Sequence, residues 1–145
     1  MKDSAMKDPE IEVRITPGEV SWLGGEDRWR VMLEVSFKNI GGGKFELDKR
    51  TACEGGRISN RVFQVQMGDT EVQYQGMMAK RAHPGPDGFF RIAAGEELKV
   101  DVDLGDQYAF PKEGGNARVT FDHANHFSIH RVQLQSPTIE IALAK

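Results

Sequence analysis

The chain has a single cysteine, Cys53, in 145 residues. No intrachain disulfide can form, so the fold must be held by its core. Some secreted domains also lack disulfides, and the compartment stays open on this count. A basic excess is missing too. Nineteen Lys and Arg face 22 Asp and Glu, for a net charge of −3. That balance argues against nucleic-acid binding by the molecule as a whole, although it permits a local basic patch. No stretch approaches the ~18 apolar residues of a membrane-spanning helix. The opening MKDSAMKDPE carries no apolar core of a secretory leader. The expectation is a cytoplasmic protein, or a secreted or periplasmic one already freed of its leader. Internal repeats and low-complexity tracts are absent. No segment keeps a 3.6-residue apolar period over three turns, which removes helices as the organising element.

What is present is alternation. Trp29, Val31, Leu33, Val35 and Phe37 occupy every second position, and only a strand keeps such a set on one face. Ile11, Val13 and Ile15 form a shorter run, ended by Thr16-Pro17-Gly18. Lys44–Leu47 is a short strand, and Asp48–Asn60 is irregular. Phe63, Val65 and Met67 lead into Gly68-Asp69, a two-residue connection that suits a type II′ hairpin, with Val72 and Tyr74 on the return. Ala79–Gly88 is a loop, since Pro84, Gly85, Pro86 and Gly88 exclude helix and ladder alike. Phe89 to Ile92, Leu98 to Leu104, Val119 to Phe121 and Ile139 to Leu143 supply further strands. A flexible tail is expected over residues 1–9 and one domain over 10–145, the size at which a chain buries about 68–70% of its unfolded surface. The fold class is all-β. The pattern predicts an immunoglobulin-like antiparallel β-sandwich of about eight strands, with a small β-barrel as the alternative.

Chemistry has few places to sit. His123, His126 and His130, with Asp122 beside them, offer donors for zinc or copper. Their spacing is not that of a zincin, which sets two His one helical turn apart around a catalytic Glu. The plainer reading is a polar loop with one His packed against Phe127. Met67, Met77 and Met78 near His83 suggest a soft copper site, but Met at alternating positions more often fills a core. Cys53 lies in no nucleophile motif, and no G-x-S-x-G elbow occurs. The Gly41–Gly43 run lacks the helix and Lys-Ser/Thr pair of a phosphate loop. Asp101 and Asp103 fall on the polar face of a strand, where solvation accounts for them. These absences predict a protein that is not an enzyme. Lys80-Arg81 is more informative. It opens a loop stiffened by Pro84 and Pro86, with His83 between, and a pre-ordered loop loses less entropy when it docks on a partner.

The middle of the chain resembles a known family. Phe63, Val65, Gly68, Val72, Tyr74, Gly76, Lys80, Arg81 and Pro84 come in order, followed by Gly95-Glu96 and by Asp103, Leu104 and Tyr108. This set resembles the N-terminal β-sandwich, a pro-domain, of bacterial deuterolysin-like (peptidyl-Lys) zinc endopeptidases. In that family the sandwich precedes and restrains a catalytic domain carrying H-E-x-x-H and a downstream Asp ligand, neither of which this chain has. The resemblance therefore implies the accessory domain without the enzyme. A free-standing copy would inhibit such a peptidase in trans. Lys80 would mimic the substrate lysine beside the cleaved bond, with Arg81 and His83 as neighbours. Two other readings stay open: a Zn- or Cu-binding sandwich using His123, His126 and His130, and an assembly module that pairs through a strand edge.

Overall fold

A computed structural model describes residues 8–78, 83–126 and 128–145. Among the described residues ten strands form: β1 (Ile11–Leu23), β2 (Arg28–Asn39), β3 (Lys44–Asp48), β4 (Phe63–Met67), β5 (Thr70–Glu71), β6 (Phe89–Ala93), β7 (Glu97–Asp103), β8 (Gly115–Ala124), β9 (Gln133–Gln135) and β10 (Ile139–Leu143). Every pairing is antiparallel. One sheet has the order β1-β2-β7, the other β10-β8-β4-β5 with β9 also on β8, and β3-β6 is a separate ribbon.

The alternation of β2 sets the core. Its five alternating residues Trp29, Val31, Leu33, Val35 and Phe37 are each at most 1% exposed. Phe37 meets Phe121 of the other sheet edge-on, ring centroids 5.4 Å apart, and Phe121 meets Phe63 the same way at 5.5 Å. Two sheets thus pack face to face at Phe37 and Phe121, with Phe63 beside Phe121 in the same sheet, and neither closes into a barrel. The fold is an all-β antiparallel sandwich without a disulfide, as the sequence pattern predicts, with ten strands where about eight are expected.

The differences have local causes. β1 does not stop at Thr16-Pro17-Gly18 but continues to Leu23, with a register shift between Pro17 and Val20. The strand lies at a sheet edge, where the missing proline donor costs no ladder bond. β9 and β10 lie on the same strand, β8, but Pro137 cannot donate between them. Ser136 fills the gap: its Oγ accepts the Phe121 amide at 2.9 Å and donates to the Pro137 carbonyl. The Gly68-Asp69 hairpin is as expected, with Gly68 at φ 63° and Met67 opposite Thr70. Its return arm is short. Beyond Glu71 the chain turns to the 107–109 segment, where Tyr74 bridges Tyr108.

Residues 1–7 of the expected tail lie outside the described residues. Asp8 is already engaged, its carbonyl accepting the Gly42 amide at 3.1 Å. Asn39, fully buried, organises the neighbouring triple-glycine turn. Its Oδ1 accepts from Glu10 and Gly41 amides, and its Nδ2 donates to the Gly43 and Ile92 carbonyls.

Candidate functional site

The Ala79–Gly88 loop divides in two. Lys80 and Arg81 lie outside the described residues, which resume at His83. From there the loop is built on itself. The His83 Nδ1 accepts the Gly85 amide at 3.1 Å, and the ring lies edge-on to Phe89 at 6.2 Å. Gly85 has φ 78°, outside the range Cβ tolerates, and Pro86–Gly88 makes one 3-10 turn. The Gly88 carbonyl then accepts the Lys49 amide at 3.0 Å. Pro84 and Pro86 therefore stiffen a segment that is also fixed at its far end.

The chain just before the loop is fixed too. The Tyr74 hydroxyl donates to the Met77 carbonyl. Between Met77 and Lys49 opens a cavity of about 280 Å³, lined by Lys49, Arg50, Glu54, Arg57, Ser59 and Met77. Met77, before the loop, and Lys49, bonded to the loop's last residue, thus line one basic cavity. Arg50 is held by the fully buried Asp48 through two side-chain hydrogen bonds of 3.1 and 2.9 Å. Lys49 lies 3.7 Å from Glu54 and 5.3 Å from the centre of the Phe90 ring. The Arg57 guanidinium reaches the Met77 sulfur at 4.0 Å. Ser59 is 7% exposed, and its Oγ has no hydrogen-bond partner among the described residues.

The floor of this region is the irregular segment after β3. Thr51, Ala52, Cys53, Ile58, Ser59 and Asn60 are buried although no ladder holds them. Cys53 takes φ 56°, and the Glu54 amide bonds back to the Lys49 carbonyl. This compact turn places three basic side chains together. The sequence reading passed over Lys49, Arg57 and Ser59 because the segment has no period. Its only signal was three cations close together in a stretch with a paired glycine.

His130 serves a structural purpose. His130 Nδ1 accepts the Glu46 amide at 3.0 Å, and its ring stacks on Phe45 at 5.0 Å. Phe127, the packing partner expected from sequence, lies outside the described residues. Asn125 Nδ2 and Ser128 Oγ both donate to the Glu46 carbonyl, while Asn125 Oδ1 accepts the Asp48 amide. The segment is a latch that satisfies β3 through side chains. His123 and His126 are adjacent, ring centroids 5.8 Å apart, with His123 still on β8. Both oxygens of Asp122 accept from glutamines, Gln64 and Gln133. Among the described residues no group of three or more His, Cys, Asp or Glu side chains is placed to hold a metal ion.

The methionines do not gather. Met67 lines a groove beside Gly115, whereas Met77 lines the basic cavity. Burial pushes the Cys53 thiol up to about 12, far from a thiolate nucleophile at neutral pH. Asp103 does more than meet solvent. It accepts the Val31 and Gly105 amides at 3.0 Å each and pairs with Arg28 at 3.1 Å, closing the end of β7 on β2.

No known family model matches this chain, and no curated protein matches it either.

Proposed function

We propose that this protein is a non-catalytic β-sandwich that binds another protein through the Ala79–Gly88 loop and the cavity at its base. One observation carries the reading. Met77, just before the loop, and Lys49, bonded to the loop's last residue Gly88, line one cavity that carries three cations, on a chain of net negative charge. Anchoring reduces the entropy lost on docking, and the local positive field complements an acidic partner surface. Met77 and Met78, 42% and 69% exposed, add adaptable apolar contact beside it. The non-catalytic part is supported by the buried, protonated Cys53 thiol and by carboxylates occupied in structural bonds.

The first partner to test is a zinc endopeptidase of the deuterolysin type, inhibited in trans with Lys80 entering the pocket for the substrate lysine. The resemblance over Phe63 to Tyr108 supports this choice. The experiment titrates the domain against the catalytic domain of such a peptidase acting on a lysine-containing peptide. Saturable inhibition that weakens at least tenfold in Lys80→Ala is the expected result. Undiminished turnover at a large excess of the domain would remove this enzyme class as the partner.

A further inference from the structure

We propose that the cavity between Lys49 and Met77 is a carboxylate-binding site that receives a glutamate side chain of the protein partner. The proposal rests on the protein-binding reading above and names the chemistry the partner must present.

The charges around the cavity are unevenly satisfied. Arg50 is committed to Asp48, and Lys49 approaches Glu54. Among the described residues no carboxylate pairs with Arg57, whose guanidinium meets only the weak thioether acceptor of Met77. A planar guanidinium with open donors is suited to a carboxylate held in two parallel hydrogen bonds. Ser59 supplies a second, independent sign. Its hydroxyl is withdrawn from solvent and lacks a partner among the described residues, and the residue is one of those lining the same cavity. Buried hydroxyls are almost always hydrogen-bonded, and an exception at a cavity wall marks the place of an incoming polar atom.

Size and wall chemistry narrow the occupant. At about 280 Å³ the cavity falls just below the ~300–1,000 Å³ typical of drug-sized ligands and suits one side chain. Met77, Lys49 and Arg57 are among its lining residues, and long cationic side chains carry aliphatic stems that can serve as apolar wall. Methylenes followed by a carboxylate match that order, which is the side chain of glutamate. In the bound state the carboxylate accepts from Arg57 and from the Ser59 hydroxyl, with the Lys49 ammonium nearby.

The test is an amide-resolved NMR titration of the intact protein with acetyl-Gly-Glu-Gly-amide, its Gln counterpart and inorganic phosphate. Saturable shifts at the Lys49, Glu54, Arg57 and Ser59 amides with the Glu peptide alone are expected. Affinity should fall at least tenfold in Arg57→Gln and several-fold in Ser59→Ala. Ser59→Ala should keep or raise the melting temperature, since it removes an unpartnered hydroxyl. An equal response to the Gln peptide, tighter binding of phosphate, or unchanged affinity in Arg57→Gln would each overturn the proposal. A Glu peptide that binds while peptidase inhibition fails leaves this site standing without that partner. Inhibition without peptide binding removes the site alone.

Discussion

Tyr108 does at one atom what a ladder does along a strand. Its hydroxyl accepts the Phe63 amide at 3.1 Å and donates to the Phe63 carbonyl at 2.8 Å, across 45 residues. Burial, the largest influence, pushes its ionisation above the ordinary tyrosine value, as it does for the thiol of Cys53. Both groups keep their proton longer in the folded chain than in the unfolded one. Their stabilisation is therefore complete below pH ~9, the region of the free thiol, and is lost as pH rises towards 12. Stability should fall by up to about 1.4 kcal/mol per pH unit for each group titrating in the unfolded state. Urea melts between pH 8 and 11.5 measure this, and a flat profile would contradict it. Tyr108→Phe should cost about 2–3 kcal/mol at neutral pH, because it leaves both Phe63 backbone groups buried without a partner. It should also flatten the profile above pH 10.

At the scale of elements, the latch over β3 is the feature most open to test. Removing the imbidazole ring in His130→Ala takes away the acceptor of the Glu46 amide and the stack on Phe45, at a cost of about 1–3 kcal/mol. The Glu46 amide should then exchange with solvent at least tenfold faster, while amides of β2 keep their protection. An unchanged Glu46 exchange rate would show that the latch does not hold β3. The same element shows what sequence can and cannot tell. Strands buried on one face were legible: β2, β4, β7 and β10 follow their period-two patterns closely. The latch was not, because its bonds run from side chains to a backbone about 80 residues away and leave no local period. Asp122, His123 and the following histidines suggested a metal site because their residue types are common to both roles. The cavity was hidden for the same reason. Its cations come from an irregular turn whose burial depends on the tertiary packing around Cys53, Ile58 and Ser59. Even Pro17, a dependable strand breaker in a central position, was misleading at an edge.

The whole molecule depends on two sheets meeting at Phe37 and Phe121. Phe121 meets Phe37 of the opposite sheet and Phe63 of its own, so it ties the sheet junction to the strand pair behind it. Phe121→Ala should cost about 3–5 kcal/mol in chemical denaturation. The loss should be cooperative across both sheets, read as one transition by tryptophan fluorescence from Trp29 and by far-ultraviolet circular dichroism. Two separated transitions would mean that the sheets fold independently. None of these three phenylalanines is among the residues lining the proposed binding cavity, so Arg57→Gln and Lys80→Ala should leave that transition in place. There is a further consequence in how β3 is covered. A neighbouring strand would shield it with backbone groups that every residue carries. Here the shield is made of three particular side chains, Asn125, Ser128 and His130. Colloidal behaviour is thus tied to three codons: a change at any of them uncovers a strand edge and favours pairing with another chain before the fold loses its shape.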